Sequence, residues 1–395
     1  MSSLAVLLGE PPSSLVRKGE LIPRYYNPGN VFDRLHFVVF APEAADPEAL
    51  VPHLKAASGN AEVEVDVVRL PDRLFATTLG LRPALLASRL STTVDAVSDG
   101  QPDLIRAYAN GLHAFVGALV SEQQNIPFVV SLHINPDVDL RGRARFRHDP
   151  REALVWQALQ SVEARVMRQA DRTIAVYRPI LPYVRRLGAR RVDLIYNAVN
   201  GEELVPRTGY SLHDPPQLLC VGRQFREKNP ENILRGLRRL RDRHQLDARV
   251  TLVGDGPLHA RLVETAREEG VSDAVRFERG LPNRDVCRLL SSADIYVAHS
   301  EYWEVSKPVL EASLLGLPIV LNRRTGSPVP EYESGWVHLV DDTPDAYADA
   351  LAELLTDTAA RESRGRRARA FALENWDPAR MERRVADLYE ELVGD

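Results

Sequence analysis

Three stretches of the chain combine charge, glycine and proline in a way that suits a charged, hydroxyl-rich ligand. In "CVGRQFREKNPENIL", Arg223 and Lys228 follow Gly222 and precede Pro230. Glycine lets a ligand approach the backbone, and a helix starting near Pro230 turns its amides and positive dipole end towards an anion. Two cations five residues apart beside that end suit a diphosphate. Taken alone, solvated cations in an exposed loop are the simpler reading. The second stretch, "LVGDGP", has glycines for a tight turn and a proline that pre-forms a helix start, which on its own is punctuation. The third, "EYWEVSKPVLEA", gathers Glu301, Glu304, Ser306, Lys307 and Glu311 just ahead of the apolar run "LLGLPIVL". Pro308 suits a first helical turn, so backbone N–H groups near Lys307 and Val309 can face an anion. Glu311 falls one turn inside that helix, where a carboxylate can accept from both hydroxyls of a ribose diol or merely favour the helix dipole.

The elements that must hold these loops are legible as alternating patterns. Short apolar runs, "LAVLL", "HFVVF", "VEVDVV", "DLIRAY", "PFVVSLH", "TIAVY" and "VDLIY", are separated in several places by helical stretches such as "REALVWQALQSVEARVMRQA". Strand followed by helix, repeated, implies a parallel sheet with crossover helices. The polar segment "NAVNGEELVPRTGYSLHDPPQ" interrupts the pattern and reads as a linker. The alternation then resumes with "QLLCVG", "RVTLVGDG", "AVRFERG", "DIYVAHS", "LPIVLN" and "WVHLV". The expectation is an α/β protein of two doubly wound domains, 1–200 and 217–376, joined by a linker at 201–216. A final amphipathic helix, 377–395, keeps Met381, Val385, Leu388 and Leu392 at helical spacing. Ligands of open parallel sheets bind beyond the carboxyl ends of the strands, and two such sheets face to face make a deep cleft.

In this order the three loops are far more specific than any one of them. Together with "FERGLPNRDVCRLLSSADIYVAHS" and "VLEASLLGLPIV" they resemble the donor domain of family-4 retaining glycosyltransferases of the GT-B architecture. The resemblance covers the whole second domain, and "WDPARMERRVADLYEEL" looks like the family's terminal helix, which returns to brace the first domain. It implies an acceptor-binding first domain and a nucleotide-sugar donor domain. Arg223 and Lys228 would hold the donor diphosphate beside Gly222, and Glu311 the ribose. Amides around Ser306, Lys307, Pro308 and Val309 would cap the distal phosphate and sugar. The loop after Gly280, "LPN", with Leu281, Pro282 and Asn283, would face the nucleobase.

One position departs from the family pattern. Eight residues before Glu311, where the first motif glutamate belongs, stands Trp303, and Glu304 is one residue late. A bulged loop would give Glu304 the sugar-hydroxyl role, with Glu301 as the other candidate. The first domain matches less well. No glycine pair follows the first strand, and Gly19, beside Lys18, is the residue carried over for the phosphates. His133, at the end of "FVVSLH", corresponds to a family histidine near the donor sugar, although a lone histidine is more often structural. The arginine-rich "RGRARFRHDPRE" either borders the acceptor or is a solvated loop, and the arginines of "RGLRRLRDRH" read as the solvated face of a helix that buries Ile233, Leu237 and Leu240.

Composition narrows the classes. With 395 residues and a net charge of −5, the chain suits two domains and lacks the basic field expected of a nucleic-acid binder. Cys220 and Cys287 lack metal-ligand spacing and read as reduced core thiols of a cytoplasmic protein. The N-terminus reads as a first strand rather than a signal peptide, and no apolar run is long enough to span a membrane. Peripheral membrane contact stays open, since relatives of this type often glycosylate lipids. No cofactor and no metal are expected; the substrates would be a UDP- or GDP-linked sugar and a hydroxyl-bearing acceptor. Rival readings are a nucleotide-sugar epimerase, an inert nucleotide-sugar-binding protein and a nicotinamide oxidoreductase. The last lacks the glycine fingerprint after the first strand.

Overall fold

The computed structural model describes residues 1–9, 22–41, 46–69, 91–136 and 150–394. Gly19 and most of the arginine-rich stretch after His133 lie outside the described residues. The chain divides into two compact units, Met1–Ala198 with Pro378–Asp395, and Val199–Asp377.

The first unit is built on β1 (Ser3–Leu8), β2 (Arg34–Ala41), β3 (Glu62–Arg69), β4 (Leu104–Tyr108), β5 (Phe128–Leu132), β6 (Arg172–Ala175) and β7 (Val192–Leu194). They form one sheet in the order β3-β2-β1-β4-β5-β6-β7, with every pairing parallel. All residues of β1 and β5 are buried. That is why these strands read as unbroken apolar runs: helices cover both faces of a parallel sheet. The final helix, Pro378–Gly394, belongs to this unit and turns Met381, Val385, Leu388 and Tyr389 inward. It is anchored by Glu382, which accepts from Arg24 Nε at 2.7 Å, and by Tyr389, whose hydroxyl meets Arg106 Nη1. Arg106, on central strand β4, is buried without a carboxylate partner within 4.0 Å among the described residues. Ser131 Oγ accepts from its Nη2 at 2.9 Å, and the guanidinium lies 4.5 Å from the ring centre of Tyr108. Aromatic faces thus take the place of a counter-ion.

The second unit carries β8 (Gln217–Val221), β9 (Arg249–Val253), β10 (Val275–Glu278), β11 (Ile295–Ala298), β12 (Ile319–Asn322) and β13 (His338–Val340), in the order β10-β9-β8-β11-β12-β13 and again all parallel. Strand order reverses between β8 and β11, so the loops leaving these two strands flank the crevice where such sheets bind ligands. The stretch read as a linker is fastened to this unit: the Tyr210 hydroxyl donates to the Gly316 carbonyl at 3.1 Å, and His213 Nδ1 lies 2.9 Å from the buried Asp294 carboxylate. On the helix Glu231–His244, Ile233, Leu237 and Leu240 are buried. Its arginines pair outward, Arg238 with Asp242 at 2.7 Å and Arg241 with Asp273 at 2.8 Å, which makes an ion-paired solvent face rather than a basic patch. Cys220 and Cys287 are buried free thiols, and burial pushes both up to about 12.

Candidate functional site

The loop leaving β8 carries Gly222, Arg223 and Lys228, and the loop leaving β9 clamps it. Gly222 N donates to the Val253 carbonyl and Gln224 N to the Asp255 carbonyl, both at 2.9 Å. The buried Gln224 side chain donates to the Gly254 carbonyl and meets His259 Nδ1, again at 2.9 Å in both contacts. Gly254 and Gly256 have φ of +141° and +156°, and an added Cβ would lie 2.0 Å from the Gly222 oxygen or 2.5 Å from the Gln224 oxygen. The turn glycines therefore set how closely the second loop supports the cationic one. Arg223 is exposed, with its guanidinium 5.0 Å from the ring centre of Phe225.

The loop leaving β11 meets the cationic loop. Glu301 N donates to the Glu227 carbonyl at 2.7 Å, and Lys228 Nζ lies 2.6 Å from Glu304 Oε1. Tyr302 places its ring centre 5.4 Å from the same ammonium. The three carboxyl and aromatic candidates then separate cleanly. Glu301 is consumed within the fold, accepting from Asn322 Nδ2 and from the Thr325 amide, both at 3.0 Å. Trp303 turns the other way, donating Nε1 to the Pro328 carbonyl at 2.7 Å beneath Arg324. Glu304 alone of the three reaches Lys228. A cavity beyond this loop is lined by Ser300, Tyr302, Asn322, Arg324, Tyr332 and Glu333. Arg324 there donates to the carbonyls of Glu301 and Ser327, both at 2.8 Å, so it fastens the loop.

The helix Lys307–Leu315 follows Ser306 as its N-cap, with Pro308 in the first turn. The Val309 amide donates to the Ser306 carbonyl at 3.0 Å, so this N–H closes the helical turn instead of facing outward as expected. Glu311 is 2% exposed. Its Oε1 accepts from Asn283 Nδ2 at 2.8 Å, and burial, opposed by that bond and by Lys307, pushes its carboxyl up to about 7. Asn283 opens the helix Asn283–Ser292 directly after the half-buried Leu281 and the exposed Pro282. The sequence reading set Asn283 in the nucleobase loop and did not join it to Glu311. Its signal was that of a short polar side chain at a helix start, a type that bonds groups nearby.

His133 lies in the first unit, at the end of β5. Its Nδ1 is 2.8 Å from Asn197 Oδ1, and its ring stacks on Tyr108 at 5.7 Å and 18°. Tyr108 stacks in turn on Tyr25 at 5.6 Å. A second histidine, His113, has the opposite character. It is buried, its Nε2 lies 2.6 Å from the Tyr108 carbonyl oxygen, and burial lowers it to about 4. An added Cβ at Gly9 would sit 2.4 Å from its ring, so Gly9 is the glycine that the first strand's exit needs. Among the described residues, no group of three His, Cys, Asp or Glu side chains is arranged to hold a metal ion, and no helix is long and apolar enough to cross a membrane.

Residues 33–203 match the family model described as Glycosyltransferase Family 4, and residues 207–371 match that described as Glycosyl transferases group 1. A GDP-mannose-dependent α-(1-6)-phosphatidylinositol monomannoside mannosyltransferase of Mycolicibacterium smegmatis is 30% identical over 46% of this chain and 50% of its own length. A glycogen synthase of Mycobacterium tuberculosis is 25% identical over 73% of this chain and 69% of its own. The chain thus spans half to two thirds of the length of these relatives. Among solved structures, a sucrose-phosphate synthase from Thermosynechococcus elongatus aligns over 100% of both chains with a TM-score of 0.68 at 16% identity. Anabaena HepE in complex with UDP-glucose aligns over 99% of this chain and 100% of its own with a TM-score of 0.65 at 18% identity. S. aureus MnaA in complex with UDP shares the fold at a TM-score of 0.57 and 16% identity, covering 99% of this chain and 97% of its own.

Proposed function

The chain belongs to the family-4 glycosyltransferases and has their GT-B fold, and from that premise we propose that it transfers a hexose-type sugar from a nucleoside-diphosphate sugar to an acceptor hydroxyl with retention at the anomeric carbon. The observation that carries this reading is the meeting of Lys228 with Glu304 where the β8 and β11 loops flank the strand-order reversal, with Arg223 on the same loop. In this reading the second unit binds the donor and the first the acceptor. Arg223 and Lys228 take the diphosphate, and Glu311, held by Asn283, accepts from the ribose hydroxyls.

Chemically, the sugar–phosphate bond breaks first, and the anomeric carbon gains oxocarbenium character. The acceptor hydroxyl enters on the same face, and a leaving diphosphate oxygen takes its proton. Such a reaction asks the protein for position and for stabilisation of charge on the leaving group, which two cations of one loop supply without a nucleophile. His133, oriented by Asn197 and Tyr108, would contact the sugar. A metal ion is not required by this scheme.

The test is a screen of UDP- and GDP-linked sugars for slow hydrolysis, followed by transfer to sugar and lipid acceptors, with the product anomer read by NMR and the assay repeated with chelator. Transfer with retained configuration and undiminished rate in chelator supports the reading. Formation of an epimer without acceptor would instead support the epimerase reading, and inversion of configuration or loss of activity in chelator would overturn the corresponding part.

A further inference from the structure

We propose that Glu304 is a counter-ion latch on Lys228: its carboxylate holds the ammonium and must give it up when a diphosphate enters. The inference rests on the reading of Lys228 as a diphosphate ligand. The contact is 2.6 Å long, and the two side chains are only 16% and 18% exposed, so the pair is poorly hydrated. It is also placed by backbone. Lys228 N donates to the Phe225 carbonyl at 3.0 Å, and Glu301 N donates to the Glu227 carbonyl at 2.7 Å, tying the two loops together one residue from Lys228 and three from Glu304. The Tyr332 hydroxyl donates to the Glu304 carbonyl at 3.3 Å, which fixes the latch residue from its other side. Arg223, on the same loop, has no carboxylate within 4.0 Å among the described residues. One cation is therefore open and the other held.

Two consequences separate a latch from an incidental ion pair. An incoming anion pays for breaking the pair, since the released carboxylate is left in a site with little water. A free nucleoside diphosphate offers Glu304 nothing in return. A donor carries hydroxyls beyond its second phosphate, and those can donate to the released carboxylate. The latch thus penalises product relative to donor and favours product release. Its origin is the position of Glu304, which lets the carboxylate reach Lys228 while Trp303 turns away to Pro328.

The experiment uses the full chain, with inorganic pyrophosphate, UDP and GDP titrated by calorimetry into the wild type, Glu304→Gln, Lys228→Met and the double variant, each first shown to melt cooperatively. Glu304→Gln is expected to bind pyrophosphate and the preferred diphosphate about 10-fold more tightly than the wild type. It should not tighten binding in the Lys228→Met background. Equal or weaker binding by Glu304→Gln, or the same gain without Lys228, would overturn the latch. The pair itself is read separately, from the rate at which an amine-reactive reagent labels Lys228, located by mass spectrometry. Labelling should be several-fold faster in Glu304→Gln, and an unchanged rate also overturns the proposal. Faster labelling together with tighter pyrophosphate binding in Glu304→Gln, in a protein that binds neither UDP nor GDP, would leave the latch standing and remove the nucleotide-donor reading instead.

Discussion

Glu304 and Glu311 belong to one strand-to-helix segment, yet the fold treats their charges in opposite ways. Glu304 sits in the loop, half-buried, with a lysine ammonium 2.6 Å away. Glu311 sits in the helix, 2% exposed, with the Asn283 amide at 2.8 Å as its hydrogen-bond donor. The first carboxylate is already neutralised, so a ligand has to compete with it. The second is held near the midpoint of its titration, with a carboxyl pushed up to about 7, so a ligand that donates hydrogen bonds can draw it into its charged form. A pair of glutamates that looks equivalent in sequence therefore divides into a switchable anion and a carboxylate already held by a cation.

The largest effect that tests this contrast is loss of the cations. Lys228→Ala or Arg223→Ala should each cost about 2–4 kcal/mol of transition-state stabilisation, read as kcat/KM for donor turnover in a folded protein. Lys228→Ala should be the more severe, because it also leaves Glu304 without its counter-ion. Near-normal turnover in either variant would take that residue out of the site.

Glu311→Gln comes next. It should weaken binding of the free nucleoside diphosphate by about 1.5–3 kcal/mol, since an amide keeps one acceptor and adds a donor facing the ribose. The wild type should bind more tightly as pH rises through about 7, where the carboxyl ionises, while the variant should show no such rise. Stability moves the other way. The folded carboxyl titrates above its unfolded value, so the native state holds its proton longer. The contribution of Glu311 to stability should then fall as pH rises from the ordinary carboxyl range through about 7, by on the order of 3 kcal/mol, and stay level above it. Urea denaturation of wild type and Glu311→Gln across that range checks the sign: the difference should move in the variant's favour with rising pH.

Asn283→Ala sharpens the same arm with a smaller change. The lost amide bond favoured the charged carboxylate, so the midpoint of the pH-dependent binding should move upward, with a loss of about 1 kcal/mol at neutral pH. A midpoint that moved down, or stayed, would mean that Asn283 does not tune Glu311. The smallest effect should be that of Trp303→Phe. Its indole nitrogen serves the Pro328 carbonyl, so stability should drop by about 1 kcal/mol while donor binding is unchanged. A change in sugar selectivity would return Trp303 to the site.

Strands such as β1 and β5 were legible because each is a short apolar run, and a strand buried on both faces has little freedom to be anything else, whereas β3 was legible through its alternation of apolar and charged residues. Arg223, Lys228 and Glu311 could be singled out as candidates for a related reason: glycine before a cation pair, and proline opening a helix with a carboxylate inside it, are local arrangements that chemistry constrains locally. The remainder depended on chain segments that meet only when the sheet is assembled. Strand β11 pairs with β8 although β9 and β10 intervene in the chain, and that crossover alone brings Glu304 to Lys228. Gly254 and Gly256 looked like turn residues, but their requirement comes from the Gly222 and Gln224 oxygens packed against them. Asn283 could not be joined to Glu311 from spacing, and the rise of the Glu311 carboxyl to about 7 is a consequence of burial, which no single residue type carries. Local sequence determined which side chains stand at the strand ends; the order of strands in the sheet decided which of them face each other, and therefore which charges are free.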